Sequence, residues 1–166
     1  MDNQQGSTNK MNFKKQKYLN YYLAGFVDGE GAFPIQMRRT HDTKFGFTVT
    51  PEFKISQHKE GRESLEKLRD VFGCGTISIK SGQPNLLILV VKHRRSLTEK
   101  VIPFFRRYPL IIKAKQFRLF SEIVERINRE EHKTEKGYRD LVELVFKTKG
   151  KGKRKYSKQE ILDEIK

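Results

Sequence analysis

From residue 44 to residue 57 the chain alternates between two kinds of side chain. Phe45, Phe47, Val49, Phe53 and Ile55 share one parity; Thr48, Thr50, Glu52, Lys54 and Ser56 share the other. A period of two sends successive side chains to opposite faces of a strand, so this stretch predicts a sheet with one buried and one wetted face. Residues 32–39 repeat the pattern, with Phe33, Ile35 and Met37 set against Gln36, Arg38 and Thr40. The apolar face of such a sheet must be covered, and helices are the expected cover.

The flanking segments supply them. A polar leader at residues 1–12, expected to be flexible, precedes a helix over 14–28. Residues 60–72 read as a second helix, with Leu65, Leu68, Val71 and Phe72 inward and Gly73 as its cap. Strands over 75–80 and 86–92 follow, joined by the turn Ser81-Gly82-Gln83-Pro84. Ser96 with Glu99 reads as a capping box opening a third helix to residue 107. Helices are expected over 113–131 and 136–147, then a Lys/Gly-rich joint and a short helix capped by Ser157 with Glu160. The order is that of an α+β fold: an αββαββα core with one four-stranded antiparallel sheet, helices on one face, and added C-terminal helices. It predicts one domain over 13–147 and a basic extension over 148–166.

The uncovered face carries Gln36, Arg38, Thr40, Thr48, Thr50, Glu52, Lys54, Ser56, Ser78 and Lys80. Most of these types hydrogen-bond base edges and phosphates. Charge points the same way: 35 Lys and Arg against 20 Asp and Glu give +15. That excess calls for a polyanion, nucleic acid before membrane, since no apolar run approaches the ~20 residues that span a bilayer. Residues 1–12 lack the apolar segment of a secretory signal. The single cysteine, Cys74, rules out an internal disulfide and a multi-cysteine zinc site. His41, His58, His93 and His132 show no metal-ligand spacing and read as surface or nucleic-acid-facing residues. Lys151 and Lys153, in the glycine-containing basic tail, are candidates for a backbone clamp.

One run joins fold to chemistry: Leu23-Ala24-Gly25-Phe26-Val27-Asp28-Gly29-Glu30-Gly31. Tyr22, Leu23, Phe26 and Val27 form an apolar surface, while Ala24 and Gly25 remove bulk so that another backbone can approach. Gly costs a helix about 1 kcal/mol relative to Ala, which favours close packing as its explanation. Gly29 and Gly31 then end the helix and present Glu30 on a turning backbone.

This run resembles the motif of the LAGLIDADG homing endonucleases, in the single-motif, homodimeric, intron-encoded form. The resemblance covers residues 14–131 and implies a saddle-shaped sheet curved over duplex DNA. It implies a Mg²⁺-dependent double-strand cut in a long pseudo-palindromic site, with an RNA-splicing maturase or a catalytically silent DNA-binding regulator as alternatives on the same scaffold. On it, Glu30 is the metal-binding acid, the Gly29 carbonyl a further ligand, and Asp28 a structural residue. Gln57 would position water near the metals, and Lys113 would stabilise developing charge, with Lys115 as its rival. Arg62 could substitute for an arginine that some relatives carry after the glutamine. Two copies would pack through Tyr22, Leu23, Ala24, Gly25 and Phe26, bringing two Glu30 carboxylates together. No membrane or small-molecule cofactor is implied, and the expected host compartment is intracellular, organellar or prokaryotic.

Overall fold

Residues 3–148 and 154–165 are described by a computed structural model, with side chains from residue 12. The first helix, α1, spans Asn3–Glu30. It begins well before residue 14, so residues 3–12 continue its backbone rather than forming a separate leader. They are polar, but no proline precedes Pro34 to stop a helix.

The two predicted strands are each broken in two. Gly31–Ala32 (β1) and Ile35–Arg39 (β2) are separated at Pro34; Phe47–Pro51 (β3) and Phe53–His58 (β4) are separated at Glu52. A proline cannot donate to the ladder, so paired strands bend where Pro34 and Pro51 lie. The Glu52 N–H, bonded to the Pro34 carbonyl at 2.9 Å, bridges the bend. A helix over Arg62–Phe72 (α2) follows, and Gly73 closes it in the left-handed conformation at φ 62°. Strands Thr76–Lys80 (β5) and Gln83–Val91 (β6) complete a four-stranded antiparallel sheet of order β1-β4-β6-β5. The pair β2–β3 continues it as a two-stranded ribbon.

The helices after the sheet depart from expectation at one start. Arg94–Ser96 (α3) already lies in helix, so Ser96 is not an N-cap, and Glu99 pairs instead with Arg95 at 2.8 Å. A π-type segment, Leu97–Val101, leads into Ile102–Arg107 (α4). Pro103 offers no N–H to the Glu99 carbonyl, and the helix widens there. Ala114–Asn128 (α5), Glu135–Lys147 (α6) and Lys158–Asp163 (α7) follow. The expected Ser157–Glu160 capping box forms on α7. Among the described residues no helix is long and apolar enough to cross a membrane.

The odd-numbered face of the sheet is covered by helices. Phe33, at the bend, meets the rings of Phe53, Phe105, Phe117 and Phe120 at 5.1 to 5.7 Å. A second, smaller cluster lies under the ribbon: Phe45, Phe47, Tyr138, Val142, Ile161 and Ile165. The C-terminal helix is therefore packed against the ribbon rather than extended away from it.

Candidate active site

Along α1 the helical repeat divides the motif between two faces. Leu23, Ala24 and Val27 are at most 4 % exposed and pack against the chain's own sheet. Leu23 and Ala24, expected at an interface between copies, are thus internal core. The opposite side carries Tyr18, Tyr21 and Tyr22, each more than half exposed, and Gly25, where an added Cβ would meet nothing within 4 Å. Phe26 is half-buried against the core.

The end of α1 is latched from beneath. Asp28 is buried and accepts three backbone N–H bonds: from Ile111 at 3.0 Å and Ile112 at 2.9 Å on one oxygen, and from Lys113 at 2.8 Å on the other. Burial by itself raises its pKa, but these donors and the Lys113 charge outweigh it and hold the carboxyl below its usual range. The latch fixes Lys113, whose Nζ donates to the Asp28 carbonyl and, at 2.8 Å, to the Gly29 carbonyl. An ammonium thus sits at the negative end of the α1 dipole. Lys115 is exposed and makes neither bond. Ile111 and Ile112 are left 87 % and 79 % exposed beside the latch.

Glu30 is exposed and, with Gly29, Lys113 and Gln116, lines a cleft of about 750 Å³ bounded by β2 and Tyr156. Gln57 lies outside that cleft. It is half-buried at the end of β4, two residues beyond the last β1–β4 pair, and its side-chain oxygen accepts from the His58 N–H at 2.8 Å. Gly61 makes room for it: a Cβ there would fall 2.4 Å from Gln57 Cγ. Arg62 is paired along its own helix with Glu66 at 2.7 Å. Arg154 also lines the cleft, but its guanidinium is tied to the Val145 and Thr148 carbonyls at 2.8 and 3.1 Å, closing the end of α6. Its place in a run of cations concealed that role.

Among the described residues no helix covers the even-numbered sheet face. Gln36 and Arg38 stand opposite Thr50 and Thr48 on the ribbon. Lys54 faces Val90, and Ser56 and Ser78 flank Ile88 across the sheet. Lys80 ends β5 beside the turn. Two predicted residues differ. Thr40 lies past β2 in the hairpin loop and bonds Asp42, and Glu52 is 1 % exposed, so it cannot meet a ligand. Ile88, Val90 and Lys92 join the face unpredicted, because residues 86–91 are uninterruptedly apolar and give no parity to read. Lys151 and Lys153 lie outside the described residues. His132 is half-buried, with an Nδ1 that has no hydrogen-bond partner among the described residues, which corrects its reading as a surface residue.

Comparison with known proteins gives one family. The model described as LAGLIDADG endonuclease matches residues 23–124. The chain is 33 % identical over 155 residues to homing endonuclease I-ApeII of Aeropyrum pernix, spanning 90 % of this chain and 92 % of that protein. It is 37 % identical over 130 residues to DNA endonuclease I-CeuI of Chlamydomonas moewusii, of whose length it spans 57 %. Among solved structures, an archaeal intron-encoded homing endonuclease, I-Vdi141I, complexed with DNA superposes with a TM-score of 0.84 at 34 % identity, over 90 % of this chain and 96 % of the other.

Proposed function

This chain belongs to the LAGLIDADG endonuclease family, and from that premise we propose that it is a site-specific DNA endonuclease acting in intron homing. It binds a long pseudo-palindromic duplex site as a homodimer and, with Mg²⁺, cuts both strands. The observation that carries this reading is the meeting of Glu30 and Lys113 at the end of α1, beside an uncovered basic sheet face.

Each group has a role that its surroundings support. Glu30 and the Gly29 carbonyl are oxygen donors of the kind a hard cation takes, and they would hold it. When bound, Mg²⁺ neutralises phosphate charge and favours ionisation of the attacking water. One carboxylate per chain is few for that task, and among the described residues no cluster of three or more His, Cys, Asp and Glu exists. A second copy packed on the outward side of α1 would bring the second Glu30. Gly25 leaves that side open, and the exposed Tyr18 and Tyr22 share its face. Lys113, already fixed by the latch, stabilises charge developing on the phosphate. With its oxygen held by His58, Gln57 would use its NH₂, which meets no acceptor among the described residues, to orient water from the strand end.

The test is incubation of the purified chain with a plasmid library of randomised inserts, in Mg²⁺ and in EDTA. Linear products confined to a subset of inserts, and only in Mg²⁺, are expected. Plasmids left supercoiled throughout would overturn the reading.

A further inference from the structure

Glu52 is the most deeply buried acid of the DNA-facing parity, at 1 % exposure, in a protein of net charge +15. It stands where the sheet bends, its N–H bonded to the Pro34 carbonyl at 2.9 Å. Its carboxylate gathers side chains from β2, from β4 and from the residue that follows β6. Gln36 Nε2 donates to Oε2 at 3.1 Å, Lys54 Nζ contacts the same oxygen, and Lys92 Nζ lies 3.7 Å from Oε1. The chain of bonds continues, because Arg38 donates to Gln36 Oε1 through Nε at 3.2 Å and Nη2 at 2.8 Å. A carboxylate so placed lowers attraction for a polyanion. Its compensating effect is to fix the geometry of long side chains that would otherwise be ordered only on binding.

We infer that Glu52 is a positioning residue for base recognition: it ties Gln36, Arg38, Lys54 and Lys92 into one unit, so the base pairs they face are read jointly. The inference rests on the sheet face being the reading surface. Glu52 itself touches no base. Removing its charge frees two lysines, strengthens binding to all sequences, and loosens the direction in which Arg38 and Gln36 point. Residues in one hydrogen-bond network couple energetically, whereas Ser78, across β6 on β5, lies outside this one.

The experiment measures binding of the full-length protein to its site and to every single-base-pair variant, in EDTA so that no strand is cut. Arg38→Ala, Glu52→Gln, their double and Ser78→Ala are compared. Arg38→Ala should relax preference at particular positions. Glu52→Gln should relax the same positions by at least about three-fold, with the double variant losing little more than either single one. It should also steepen the dependence of log K on log salt by about one for each lysine released. Ser78→Ala combined with Glu52→Gln should be additive. If Arg38→Ala relaxes its positions and Glu52→Gln leaves them untouched, the positioning role is overturned while the reading surface stands. If Arg38→Ala moves no position, both fall. Should Glu52→Gln fail to fold, Gln36→Met cuts the link from Glu52 to Arg38 and must give the same loss at the Arg38 positions; an unchanged profile there also overturns the inference.

Discussion

Phe33 at the bend and Phe53 in the four-stranded half of the sheet lie in a cluster fed by α1, α2, α4, α5 and α6. Phe45 and Phe47, at the outer end of the ribbon, rest on α6 and the C-terminal segment, through Tyr138, Val142, Phe146, Tyr156, Ile161, Leu162 and Ile165. The half next to Glu30 and Lys113 is thus held from many directions. The half carrying Gln36, Arg38, Thr48 and Thr50 is a two-stranded arm propped at one end. A two-stranded ribbon is marginal without such support. On the proposed function, the chemistry that needs fixed distances falls on the first half, and the part of the reading face that must follow a ligand's curvature most closely falls on the second.

The sharpest test of that division is Glu30→Gln, which removes a charge without changing shape. Cleavage should fall more than about 100-fold while affinity for the site and the melting temperature stay level. Normal nicking in Mg²⁺ would remove Glu30 from the chemistry. Ile161→Ala attacks the other half: loss of this buried prop should cost about 2–4 kcal/mol. Hydrogen exchange should quicken over residues 35–51 before it does over 53–58, and base preference should flatten while bound DNA is still cut. Equal acceleration in both segments would show the two halves to be one unit. Gly25→Leu probes the outward side of α1. The open space there means the chain stays folded, but packing against a second copy should weaken by about 1–3 kcal/mol, read as a light-scattering mass shifting toward one chain.

Asp28→Asn strikes the latch. Replacing charge-assisted bonds by neutral ones should lower stability by about 1–3 kcal/mol, a fall of roughly 2–4 °C in Tm for each kcal/mol. The Asp28 carboxyl lies below its ordinary 3.8 in the folded state, so its contribution is complete above that pH and is lost as pH falls through the folded value. The gap between wild type and variant should therefore close on acidification below about pH 4. A gap constant with pH would mean that the charge is not what holds the latch. The smallest effect is expected from Tyr138→Phe, which removes the bond from the Tyr138 hydroxyl to the Phe47 carbonyl at 3.0 Å and should cost about 1 kcal/mol. Burial pushes this hydroxyl from 10.0 to about 12, so its stabilising effect holds below pH 10 and fades as pH rises through 12. Titration of unfolding should show that alkaline loss in wild type alone.

Much of the arrangement was legible in local pattern. The alternation from 44 to 57 gave the two faces of the sheet, and the motif gave the helix end where Asp28, Gly29 and Glu30 sit. What stayed hidden depends on pairing between distant residues. Nothing in the sequence around Leu23 and Ala24 says which side of α1 meets the chain's own core. Parity gave Glu52 the register of the open face, yet at the bend by Pro34 and Pro51 it is buried beneath Gln36, Lys54 and Lys92 and meets no ligand. Ser96 and Glu99 have capping-box spacing, but the helix starts earlier and Pro103 reshapes it. The tail's charge pointed to a backbone clamp, while Ile161, Leu162 and Ile165 on its short helix gave no sign that they would pack under the ribbon.

The junction between α1 and β1 has no connecting residue: the helix ends at Glu30 and strand pairing begins at Gly31. A Cβ on Gly31 would lie 2.6 Å from Val27 Cγ1 and 2.7 Å from the Val27 carbonyl oxygen, so even the smallest side chain has no place there. For the diversification of such a chain this sets a boundary on length change. One residue added at the junction would shift β1 by half the strand repeat and turn Phe33 out of its aromatic cage. Between β2 and β3 only the loop tip over residues 41–44 borders solvent and can lengthen, because Phe45 is buried against Tyr138. Lineages can therefore retarget the arm by insertion and substitution, while the joint behind the acid admits neither.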